Sequence, residues 1–119
     1  MPRSDRLTLE QMLDTARRIR ALARERSREA FEADDVVHLA LLHLIQRLGE
    51  AASRLSAEFR ADHEEFPWTE MIGMRNRTVH GYDDVDSDIV WRVATEDIEP
   101  VIAGLERALA GGGTSRSTR

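Results

Sequence analysis

A chain of 119 residues with a net charge of −5, 33% charged and 5% aromatic residues and no cysteine has room for one domain built on an aliphatic core. Without cysteine it forms neither disulfides nor thiolate zinc sites. The acidic balance excludes a general nucleic-acid coat, whose affinity depends on many neutralised phosphates, so any contact with RNA has to be local.

Apolar windows are interrupted by charge or histidine well before the roughly 20 residues of a membrane span. Residues Met1 to Arg6 lack the apolar core of a signal peptide. A soluble cytoplasmic protein with no membrane partner is the expectation.

From Leu7 to about Ala30, Leu9, Met12, Leu13, Ala16, Ile19 and Ala23 step by three and four, the mark of one buried helical stripe. Thr8 and Gln11 have the spacing of a capping box at its start. The helix also carries Arg17, Arg18, Arg20, Arg24, Arg26 and Arg28, with Asp14, Glu25 and Glu29 available for local pairing, which reads as a solvated face. The alternative is a phosphate-holding row, since Arg17, Arg24 and Arg28 fall on one side.

Glu32 to Asp35 is the predicted break, with Asp34 or Asp35 capping a second helix. Over Val36 to Leu55 that helix is apolar around much of its girth, which suits the middle of a bundle or a subunit interface. Gly49 in its interior costs about 1 kcal/mol against alanine, so a close helix crossing is expected there.

Ser56 to about Arg60 forms a short helix, and Ala61 to Phe66 reads as a polar connection. A further helix begins near Pro67 and Trp68, where a missing N–H is tolerated. After an acidic loop, Asp83 to Asp86, either Asp86 or Ser87 caps the last long helix, which Pro100 should kink or divide. No stretch shows strand alternation. The prediction is an all-α, up-and-down bundle of about five helices over residues 1–110, with a flexible Gly/Ser/Arg tail over 111–119.

Chemistry concentrates in Arg75-Asn76-Arg77-Thr78-Val79-His80-Gly81-Tyr82. In a regular helix Arg75 and His80 would stand roughly 140° apart. A left-handed residue at Gly81 would end the helix and let His80 swing toward Arg75. Taken singly, His80 could cap helix carbonyls, and Arg75 could pair with a carboxylate such as Glu50. His38, His43 and His63 raise the question of a metal, but His38 and His43 are five apart and share no helix face, so no metal site is assigned.

This octet resembles the R-x4-H-x-Y form of the R-x4-6-H signature in HepT-type toxins of the HEPN ribonucleases. Gly49-Glu50-Ala51-Ala52, Pro67-Trp68 and Ile89-Val90-Trp91 extend the resemblance over most of the chain. The resemblance implies a cofactor-free, metal-independent endoribonuclease that acts as a homodimer and is neutralised by an MNT-type nucleotidyltransferase antitoxin. Arg75 and His80 would be catalytic, Asn76 and Arg77 would support or bind RNA, and Tyr82 would accept AMP from the partner.

The chemistry is consistent with that assignment. Cleaving RNA without a metal takes one group to remove the 2′-hydroxyl proton and another to protonate the leaving 5′-oxygen, and imidazole suits both. Each chain offers one motif histidine, so two copies would have to meet across a dimer. Asn76 could orient phosphate or imidazole, or bond backbone within the bundle. Arg77 points away from Arg75 on a helix, toward the surface or a secondary RNA contact. The alternative function is a non-catalytic helical module that binds nucleotides or presents substrate to a nucleotidyltransferase.

Overall fold

A computed structural model describes residues 2–64, 66, 68 and 87–112. Every described element is helical, in agreement with the all-α expectation. The elements are α1 (Arg3–Arg24), α2 (Arg28–Ala33), α3 (Asp35–Arg54), α4 (Ala57–Asp62), α5 (Ser87–Arg92), a π-helical turn (Val93–Asp97) and α6 (Ile98–Gly112).

The stripe read from the sequence is the buried face of α1, where Leu9, Met12, Ala16, Ile19 and Ala23 are all sealed from solvent. The start of α1 differs from expectation. It begins at Arg3, and Thr8 lies inside it, its hydroxyl donating to the Ser4 carbonyl at 3.0 Å. Its end differs too. The chain leaves α1 at Glu25, and Ser27 opens α2 by accepting from the Ala30 N–H at 3.1 Å. A serine cap inside an arginine-rich run interrupts the helix because the hydroxyl satisfies a donor that helical continuation would have used.

Of the two candidate caps of α3 the chain uses Asp34, its Oδ1 accepting from the N–H groups of Val36 and Val37 at 3.0 and 3.2 Å. Ser56, which the sequence did not mark as a cap, caps α4, accepting from the Phe59 N–H at 3.1 Å. The Ser56 hydroxyl also donates to Asp5 Oδ2 at 2.7 Å, and its N–H reaches Asp5 Oδ1 at 3.1 Å. This carboxylate is 3% exposed, and these bonds are what make its burial tolerable.

Among the described elements α1 packs on both α3 and α6. Val37, Leu41, Leu42, Ile45 and Leu48 face the core, while Val36 and Leu39 remain 75% and 44% exposed.

The last helix is divided near Pro100, as expected: a π-helical turn, Val93–Asp97, separates α5 from α6, with the Ile98 N–H reaching back to the Val93 carbonyl. A π-turn absorbs the lost hydrogen bond and the ring clash one turn back. It also keeps Val90, Ala94 and Ile98 in line on the core side, although two steps of four would rotate them by roughly 80° on a regular helix. The helix then runs through Gly112, two residues into the stretch predicted as tail; residues 113–119 lie outside the described residues.

Candidate active site

The octet Arg75 to Tyr82, with Asn76, Arg77, His80 and Gly81 in it, falls within residues 69–86, outside the described residues, as do Pro67 and the acids Asp83, Asp84 and Asp86. What the structure describes is the frame on either side.

On the upstream side Asp62 and Glu64 are exposed, as the polar reading has it, but the aromatic rings around them anchor the connection to the core. Phe66 is 4% exposed and joins the core. The His63 ring stacks on Phe59 with centroids 4.0 Å apart, and its Nδ1 donates to the Phe59 carbonyl at 3.0 Å, the carbonyl fixing the proton on that nitrogen. The Trp68 indole N–H donates to the His63 carbonyl at 2.9 Å, and its ring lies 4.9 Å from that of Phe66. Phe66 in turn sits over Gly104 of α6. Gly49, where a close helix crossing was expected, is itself buried within α3.

On the downstream side Asp88, in the first turn of α5, pairs with Arg28 of α2. Arg28 also meets Glu32 at 2.8 Å. Hydrogen bonding to Asp88 is the main reason its pKa is raised above the ordinary guanidinium value, with Glu32 adding to it, so the charge persists throughout. The ring centroids of Trp91 and Phe31 are 5.1 Å apart, and His38 meets the same Phe31 edge-to-face with centroids 5.2 Å apart. Of the acids that crowd the motif in sequence, Asp88 is thus turned to a neighbouring helix.

The arginine row on α1 is paired with acids, mostly across the bundle rather than locally. Arg17 meets Glu106 at 2.8 Å, and Arg20 and Arg24 share Glu99 at 3.3 and 3.8 Å. Only Arg18 with Asp14, at 3.1 Å, follows the local pattern among the three acids named for it. With their charges met by carboxylates, Arg17, Arg24 and Arg28 follow the solvated-face reading rather than that of a phosphate-holding row.

Glu50, the carboxylate that Arg75 could have met, is half-buried in α3. Among the described residues, no group of three or more His, Asp or Glu side chains is placed to hold a metal. Nor is any described helix long and apolar enough to cross a membrane.

Sequence reasoning missed Arg28, Phe31, Asp88 and Trp91 as a set. Their signal was faint: two pairs spaced three apart, one cationic and aromatic, the other anionic and aromatic.

Comparison with known proteins adds what the described frame leaves open. A family model described as ribonuclease HepT-like matches residues 12–108. A probable ribonuclease HepT from Thermococcus cleftensis is 31% identical over 107 residues, covering 90% of this chain and 97% of that protein. A "putative RNase" from Caldanaerobacter subterraneus is 36% identical over 70 residues, 59% of this chain and 62% of its own, and another so named from Methanocaldococcus jannaschii is 24% identical over 76% of this chain and 83% of its own. No solved structure matches.

Proposed function

Because the chain belongs to the ribonuclease HepT-like family, we propose that it is a metal-independent endoribonuclease toxin whose Arg75 and His80 act from two protomers in one composite site. The observation that carries this is Arg75-x4-His80-x-Tyr82 inside the matched span.

One His80 takes the proton from the ribose 2′-hydroxyl, and that oxygen attacks the phosphorus. The second His80 gives a proton to the departing 5′-oxygen, leaving a 2′,3′-cyclic phosphate and a free 5′-hydroxyl. The guanidinium of Arg75 holds the crowded phosphorane, a role its planar donor fork suits better than an ammonium. Asn76 orients the phosphate, and Arg77 contacts RNA at the periphery.

Support for the dimer comes from α3, where the apolar side chains of Val36 and Leu39 stay exposed on the side away from the core. Isologous packing would cover them. A nucleotidyltransferase antitoxin then silences the enzyme by joining the Tyr82 oxygen to the α-phosphorus of ATP as pyrophosphate leaves. The added bulk and negative charge stand where substrate phosphate has to bind.

The decisive experiment is cleavage of a single-stranded RNA by the purified chain and by His80→Ala. Loss of the acid–base group should lower the rate by about 10² to 10⁴. Equal cleavage by the two proteins removes the catalytic claim, and nucleotide binding without cleavage in the unsubstituted chain identifies a non-catalytic partner of a nucleotidyltransferase instead.

A further inference from the structure

The chain has 17 basic residues, all of them arginines, against 22 acidic ones, so the guanidiniums left open decide where a polyanion can bind. Those of α1 are largely engaged. Arg6, Arg17, Arg18, Arg20 and Arg24 each meet a carboxylate, as Arg28 does on α2, and Arg26 donates to the Leu22 carbonyl at 2.6 Å. Among the described residues Arg3, Arg47, Arg54, Arg60, Arg92 and Arg107 have no carboxylate partner. Arg3, Arg92 and Arg107 stand singly on α1, α5 and α6, and Arg60 is half-buried with its Nε sealed from solvent. Only α3 carries two.

Arg47 and Arg54 are seven residues apart, which brings them within roughly 20° of one side of the helix and roughly 10.5 Å apart along its axis. Both are exposed, and so is His43, one turn ahead of Arg47 on the same side. Glu50 lies between them but is half-buried, so the open charge of this stretch is cationic. The exposed apolar pair, Val36 and Leu39, lies on that side too, nearer the start of α3, with Leu39 roughly 12 Å along the axis from Arg47. Neither guanidinium holds the fold together. Arg54, in the last turn, gains only the small attraction of a cation to the helix end.

We propose that Arg47 and Arg54 hold the backbone of single-stranded RNA, each through one phosphate, while the first turns of the same helix are left to a second copy of the chain. This rests on the ribonuclease reading above. A planar guanidinium without an intramolecular partner meets phosphate with its whole donor fork, whereas one already paired has to give up a carboxylate first. In a chain of net charge −5 such a contact has to be local, and two open cations on one side of one helix are local.

The test follows binding of a single-stranded RNA methylated at every 2′-oxygen, which removes the attacking hydroxyl and so prevents cleavage. Fluorescence anisotropy over a range of salt compares the full-length chain with Arg47→Gln/Arg54→Gln and with Arg92→Gln/Arg107→Gln, which removes the same charge elsewhere. Cleavage of the unmodified RNA gives kcat and KM for the same proteins, and sedimentation and thermal unfolding report assembly and fold. For the α3 pair, Kd and KM should rise by about 10-fold, and the slope of log affinity against log salt should become shallower by about 0.7 for each contact removed. Its kcat should stay within about two-fold, its assembly and unfolding temperature should match those of the unsubstituted chain, and the control pair should leave the slope in place.

Unchanged affinity in the α3 pair overturns the proposal, and so does an equal loss in the control pair, which would make the effect one of net charge. Altered assembly in the α3 pair would assign the two arginines to the subunit contact and overturn it as well, as would failure of the unsubstituted chain to bind the methylated RNA. If the unsubstituted chain binds that RNA but does not cleave the unmodified one, the ribonuclease reading fails by itself, and the binding comparison still decides whether α3 holds the backbone.

Discussion

The ring of Phe66 fills the space that a side chain on Gly104 would need: a Cβ there would stand 2.8 Å from both Cε1 and Cζ. The contact ties the stretch just before the motif to the middle of α6. Gly104→Ala gains about 1 kcal/mol of helix propensity, but overpacking a buried ring costs about 1 to 3 kcal/mol. Net destabilisation is expected by thermal unfolding. In a double-mutant cycle Phe66→Leu should relieve the Gly104→Ala penalty, and strict additivity would show that the two do not press on each other.

Asp5 is the other long-range tie. Replacing it with alanine leaves the Ser56 N–H without its acceptor at a site where the carboxylate is 3% exposed. A cost of about 1 to 3 kcal/mol is expected in denaturant unfolding. Ser56→Ala keeps the N–H bond but removes the hydroxyl bond to Asp5 and the cap of α4, so a cost of similar size is expected.

The arginines of α1 should behave differently. Arg17→Ala breaks a pair with Glu106 whose side chains are 51% and 49% exposed, and the unfolding free energy should change by about 1 kcal/mol or less. The salt dependence of RNA cleavage should also stay as it is, because a group that touches no phosphate releases no counterion. A shallower slope in this variant would return the row to the RNA-binding surface.

The exposed side of α3 gives a test of assembly. Val36→Glu combined with Leu39→Glu changes residues that are 75% and 44% exposed, so the monomer should fold with its helicity intact. Sedimentation should report a monomer, and cleavage should fall with dimer content. A dimer that persists at full activity would place the interface elsewhere.

Metal independence has its own measurement. Cleavage should be unchanged after exhaustive treatment with a chelator, whereas Arg75→Lys should lose about 10² to 10³ in kcat by exchanging a planar fork for a point charge. Restoration of activity by added divalent metal would contradict the proposed proton transfers.

The sequence by itself determined the core stripe of α1, a cap for α3 at Asp34 or Asp35, the all-helical class and, through the octet and its landmarks, the family. These are legible because helical periodicity and capping are local, each decided within about one or two turns. The catalytic roles of Arg75 and His80 remain a sequence reading, since both fall outside the described residues. Only the tertiary structure decided that α1 packs on both α3 and α6, that Asp5 finds Ser56, that α1 arginines find acids on α6, and that the division before Pro100 takes the form of a wider turn. Partners separated by 51 or 89 residues leave no period in the chain. Their meeting is fixed by how whole helix faces pack against one another.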